Sequence, residues 1–135
     1  MKGIVGDANI KGHINVLGSL LAEHPWDEIW QGLNLRCFTF AELGLAENAP
    51  DSLVWSTCQR EEIALLTDNR NADGPDSLEM TIRAFGSDVN LPVFTLSNAV
   101  RFLAGGEYAQ KVVERLLEYL MDIEKVRGTG RLFLP

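Results

Sequence analysis

Short apolar blocks recur along this chain, and each is followed by a stretch with helical spacing. Gly3-Ile4-Val5-Gly6-Asp7, Leu35-Arg36-Cys37-Phe38-Thr39-Phe40, Ile63-Ala64-Leu65-Leu66-Thr67 and Val93-Phe94-Thr95-Leu96 are bounded by polar residues. Runs of this length read as buried strands. Between the first two, residues 9 to about 24 carry Ile10, Ile14, Leu17 and Leu21 on one stripe, and this spacing predicts an amphipathic helix. Pro25 stops it, and residues 26–30 add a turn before Gly32. Pro50-Asp51-Ser52-Leu53 opens a helix to about Glu61, and Pro75-Asp76-Ser77-Leu78-Glu79 opens another to about Phe85. Ser97 or Asn98 begins a short helix that ends at Gly105-Gly106. Residues 107 to about 126 carry Val112, Val113, Leu116, Leu117, Leu120 and Ile123 as a last helix, ended by Gly128-Thr129-Gly130. Arg131-Leu132-Phe133-Leu134-Pro135 then adds an edge strand or packs on a partner. This alternation implies a three-layer α/β/α sandwich with a mainly parallel central sheet, as one domain over residues 1–135.

Composition narrows the class without naming a function. The 46% hydrophobic and 23% charged content of the 135 residues is that of an ordinary globular protein. No stretch approaches the ~20 apolar residues of a membrane span. The start, Met1-Lys2-Gly3-Ile4-Val5, lacks the apolar core of a signal peptide, so a cytoplasmic location is expected. Cys37 and Cys58 are too isolated for a zinc site or a disulfide framework and read as reduced core residues. The net charge of −7 speaks against a broad basic surface for nucleic acid. A metal-dependent nuclease stays compatible with it, because the carboxylates of such a site contribute to the deficit.

Two of the apolar blocks break off at an aspartate. Asp7 is followed by Ala8-Asn9, and Asp68 by Asn69-Arg70-Asn71. On adjacent parallel strands both carboxylates emerge at the carboxyl edge, where open α/β sheets place their ligands. Paired carboxylates beside amides suit Mg²⁺ or Mn²⁺. The alternative is that each aspartate caps a helix; Asn9 could equally cap the first one, and the polar loop after Asp68 runs on before any helix starts. Pro-Asp-Ser-Leu occurs at 50–53 and again at 75–78, where Asp51 and Asp76 read as helix-start residues and Asp76 with Glu79 as a capping box. A capping carboxylate still faces a metal if its helix begins at that edge. Asp73 is either a solvated charge or an outer ligand. Arg70, the one cation in this acidic loop, either balances charge or offers a guanidinium fork to a phosphate. Glu42 is a further ligand or a solvated surface group, and His13 lines the site or packs. Trp26, Trp30 and Trp55 read as core or interface anchors. No Ser-His-Asp or Cys-His arrangement and no phosphate-cradling glycine loop stands out.

Taken together, the opening hydrophobic-Asp-x-Asn, the acidic Asp51 ahead of the third strand and the Thr67-Asp68 that ends it resemble the PIN-like domains. The closer likeness is to the compact, mostly uncharacterised PIN-like proteins, over roughly residues 3 to 96. The resemblance implies a Mg²⁺- or Mn²⁺-dependent ribonuclease, as many toxins of this family are. Asp7 and Asp68 would match its first-strand and later-strand aspartates, with Asp51 or Glu42 as the middle carboxylate and Asp73 or Asp76 as the last. Asp7, Asp68 and Asp73 are thus the expected metal ligands, and Asp7, Asp68, Asp51 and Asp76 the expected catalytic set. Asn9 and Asn71 would support by hydrogen bonding, with Arg70 on the substrate. RNA is the implied substrate partner, and a homodimer or an antitoxin-like protein the implied protein partner. A second reading is a catalytically silent PIN-like or receiver-like α/β module acting through protein–protein contacts. Receivers also gather carboxylates at a sheet edge, and Thr95 fits one, but no lysine follows the last strand at a matching place.

Overall fold

The computed structural model describes residues 1–69 and 77–135. Strands β1 (Gly3–Gly6), β2 (Arg36–Phe38), β3 (Ile63–Thr67), β4 (Val93–Leu96) and β5 (Arg131–Leu134) form one sheet. Its order is β2-β1-β3-β4-β5, and every pair is parallel. Helices α1 (Lys11–Leu21), α2 (Asp27–Leu33), α3 (Asp51–Glu61), α4 (Leu78–Phe85), α5 (Ala99–Leu103), α6 (Gly106–Met121) and α7 (Ile123–Val126) connect the strands. The architecture is the three-layer α/β/α sandwich that the strand–helix alternation implies.

Two faces follow from the period-2 alternation of the strands. Ile4, Ala64, Leu66, Phe94, Leu96 and Leu134 point to one side, onto Leu17 and Leu21 of α1, Phe102 of α5 and Val113 and Leu116 of α6. Val5, Ile63, Leu65 and Val93 point to the other, onto Val54, Trp55 and Cys58 of α3 and Leu78 of α4. Trp26 and Trp55 are buried, each within one of these cores, and both cysteines are free thiols. The strand order changes direction at β1, since β2 lies on one side of it and β3 on the other. That reversal opens a crevice at the carboxyl ends of β1 and β3.

Close approach at β1 demands glycine at two positions. A Cβ on Gly3 would stand 1.9 Å from the Arg36 carbonyl oxygen of β2, and one on Gly6 would stand 2.0 Å from Cγ1 of Ile14. These absences let β2 and α1 close against the central strand.

Element boundaries depart from the sequence expectation where polar side chains intervene. The first helix begins as a 3-10 turn over Ala8–Ile10 and ends at Leu21, short of residue 24. Strand β2 is shorter than residues 35–40, because Phe40 leads into a 3-10 turn over Ala41–Leu43. The last helix breaks at Asp122 into α6 and α7. The capping box is replaced: Ser77 caps α4, accepting from the Met80 amide at 3.2 Å, and Glu79 turns to Arg131. The final residues do form an edge strand, paired with β4 from Val93↔Arg131 to Leu96↔Leu134. Among the described residues no helix is long and apolar enough to cross a membrane.

The glycine at position 6 gives a direct test of the packing. Gly6→Ala should destabilise the chain by about 1–3 kcal/mol in urea unfolding. Adding Ile14→Ala should recover part of that loss, and strictly additive effects of the two changes would refute the contact.

Candidate acidic site at the carboxyl edge of the sheet

The first jaw is built where β1 stops. Asp7 caps the 3-10 turn that follows, and its Oδ1 accepts from the Ala8 amide at 2.7 Å. Its backbone amide still pairs with the Leu66 carbonyl at 2.9 Å, which holds the residue against β3. There Oδ2 accepts from the Thr67 hydroxyl at 2.9 Å. Thr67 is fully buried, and its hydroxyl also accepts from the Asn69 amide at 3.0 Å. One side chain thereby fixes both the first aspartate and the bend that carries Asp68.

Asp51 completes the group from a third element. It sits in the first turn of α3, after the N-cap Pro50, where a negative charge complements the helix dipole. Its carboxylate does not cap its own helix. Oδ2 accepts instead from Asn69 Nδ2 at 3.0 Å and from the Leu78 amide at the start of α4 at 3.1 Å. Asp68 is half-buried and accepts no hydrogen bond from a described residue.

The three carboxylates feel one another. Burial pushes the Asp7 pKa above the usual carboxylate value, the Thr67 and Ala8 hydrogen bonds hold it back, and the charges of Asp51 and Asp68 push it further up. The same field reaches Cys58, whose thiol is pushed up to about 12 by burial and then by Asp7. A thiol so reluctant to ionise is no nucleophile.

Beside this group lies a cation that the sequence reading passed over. The Arg131 side chain is only 8% exposed, and its Nε donates to Glu79 at 3.2 Å. Nη1 donates to the Asn69 carbonyl at 2.8 Å and to the Thr95 hydroxyl at 2.7 Å, while Nη2 is buried without a partner among the described residues. Arg131 therefore braces the backbone just past Asp68 from the far side of the sheet.

Of the residues singled out from the sequence, Asp7, Asp51 and Asp68 come together. Asn9 is exposed and stands outside this hydrogen-bonded network. Glu42 is committed elsewhere: Oε2 accepts from Arg36 at 2.6 Å and Oε1 from the Thr39 amide at 3.0 Å, so its carboxylate stays well below the usual range. His13 packs, stacked on Phe102 with Nε2 3.1 Å from the Ala99 carbonyl. Arg70, Asn71, Asp73 and Asp76 lie outside the described residues. The amide that supports the carboxylates within the described residues is Asn69.

No family model, curated protein or solved structure matches the chain. The chemistry of the donor set is then the guide. Among the described residues no three His, Cys, Asp or Glu side chains form a closed ligand group. Carboxylate oxygens that share a half-buried edge and repel one another suit a hard divalent ion of the Mg²⁺ type. Such an ion binds through one or two carboxylates and completes its shell with water and substrate phosphate.

The raised pKa of Asp7 has a pH signature. The folded state holds this proton more tightly than the unfolded chain, so stability falls as pH rises from the ordinary carboxylate range through the folded-state value. Asp7→Asn removes that loss. Without added cation the variant should melt a few degrees above wild type at pH 7, and the gap should close toward about pH 4. A variant that melts below wild type at pH 7 would contradict this balance.

Proposed function

We propose that this chain is a Mg²⁺- or Mn²⁺-dependent phosphodiesterase that cleaves RNA, with a PIN-like acidic site at Asp7, Asp51 and Asp68. The observation that carries the reading is the hydrogen-bonded edge at the crevice where the strand order reverses, in which Thr67 holds Asp7 and Asn69 holds Asp51 on either side of Asp68. Asp7 and Asp68 would hold a divalent cation, which would supply charge neutralisation at the scissile phosphate and a more acidic water. Asp51 keeps Oδ1 clear of hydrogen bonds from described residues and accepts the proton of the attacking water. The water oxygen bonds to phosphorus, the ester bond to the leaving oxygen breaks, and that oxygen takes a proton from solvent water and leaves as a hydroxyl, while Asp51 returns its own proton to solvent. Asn69 fixes Asp51 through its amide, and Arg131 fixes Asn69 through its carbonyl. The implied protein partners, a second copy or an antitoxin-like protein, belong to the same reading.

One observation favours a different reading. The order β2-β1-β3-β4-β5 is that of flavodoxin-like folds, which include phosphoacceptor receivers. Thr95 on β4 is hydrogen-bonded by the Arg131 cation of β5, and Asp68 carries a carboxylate free of described donors. In that reading Asp68 accepts a phosphoryl group and the module acts through protein partners.

Cleavage of a single-stranded RNA with Mn²⁺ separates the two. Asp68→Asn should lower it to the buffer background, and Asn69→Ala should lower it roughly 10-fold, as loss of a supporting hydrogen bond does. Wild-type activity in Asp68→Asn would sink the nuclease reading. A mass gain of one phosphoryl group at Asp68 after incubation with a small phosphodonor, with no RNA cleavage, would establish the receiver-like one.

A further inference from the structure

A second concavity, of about 330 Å³, opens on the β2 side of β1. It lies between the start of α1 and the segment after β2. Phe38, Ile14 and the largely buried Phe40 give it apolar walls. Lys11 and Asn15 of α1 line it together with Glu47, and the Lys11 ammonium is ion-paired with the Glu47 carboxylate across the two walls. This pairing matters for ligand class. The pocket's cation is already neutralised, so the pocket suits an uncharged polar ring better than an anion.

Its position says which ring. Gly6 and Ala8 both line the pocket, so it begins one residue to either side of Asp7. A group seated there lies beside the end of β1 that carries Asp7. We propose that the pocket binds the base of an RNA nucleotide whose phosphodiester lies against Asp7, Asp51 and Asp68, an inference that rests on the phosphodiesterase reading. Unpaired bases are held by stacking on aromatic side chains and by hydrogen bonds to their polar edges. The half-buried Phe38, with the Arg36 guanidinium 3.9 Å from its ring centroid, offers the first, and Asn15, Lys11 and Glu47 offer both donors and acceptors for the second. The volume is at the small end for ligand pockets, which fits one nucleoside and not a base pair.

The test uses the full chain in EDTA with the four ribonucleosides, which lack phosphate and so report on the pocket alone. Amide shifts should move at Ala8, Lys11 and Asn15, with dissociation constants of order 1 mM for at least one nucleoside. Ala41 lines the pocket at an exposed position, so Ala41→Trp fills it without entering the core. It should weaken binding at least about 10-fold, and the exposed Asn15→Ala, which removes one hydrogen-bonding group, should weaken it by a smaller factor. No shift with any nucleoside, or equal affinity in both variants, overturns the proposal. Mn²⁺-dependent RNA cleavage without nucleoside binding rejects the pocket and keeps the phosphodiesterase. Nucleoside binding lost in Ala41→Trp, without any cleavage, keeps the base pocket and rejects the phosphodiesterase.

Discussion

The Thr67 hydroxyl is the point on which the acidic edge depends. It donates to Asp7 and accepts from Asn69, so the end of β1 and the turn after β3 share one buried oxygen. Everything around it is arranged to keep that oxygen in place. Asn69 reaches Asp51 with its side chain and Arg131 with its carbonyl, and Arg131 in turn holds Thr95 and Glu79. The network runs from β1 through β3 and β4 to β5 and takes in the first turns of α3 and α4. Networks of this kind specify a unique arrangement when satisfied, and an unpaired member is costly. Arg131 Nη2, at its end, has no partner among the described residues.

Such an edge works against folding. Half-burying Asp7 raises its pKa, the charges of Asp51 and Asp68 raise it further, and stability near neutral pH is lowered. The cores on the two faces of the sheet absorb that cost with fully apolar contacts, from Val5 and Val93 on one side and Phe94 and Leu116 on the other. Strain and like-charge clustering persist where surrounding structure over-determines them, and they gather at functional sites. The concavity beside Asp7 is the more apolar neighbour of that edge, with Phe38 and Ile14 in its walls and Lys11 paired with Glu47 across it.

Much of this was legible in the chain. Strands β3 and β4 begin and end where the apolar runs do, since both are buried on two faces and need no alternation. Asp7, Asp51 and Asp68 were legible because each sits at a junction of strand or helix, where a polar residue after an apolar block must have a reason. Arg131 and Glu79 were not. Their meeting depends on β5 pairing with β4 and on α4 lying over that pair, which are properties of topology with no local signature. Asn69 has no local signature apart from the other amides of the same polar stretch, and its role depends on the bend that the Thr67 hydroxyl fixes. Pro-Asp marks Asp51 as a helix-start residue, and the resemblance makes it a candidate middle carboxylate. It serves the next helix instead, because Pro50 occupies the cap and leaves the carboxylate facing Leu78.

Calorimetric titration of Mn²⁺ into the wild-type chain and into Asp7→Asn tests the central claim most directly. The account requires saturable binding by the wild type and its loss, or weakening by about 10-fold or more, in Asp7→Asn. Equal heats in the two proteins, or no binding by the wild type, would show that the carboxylates at this edge do not form a cation site.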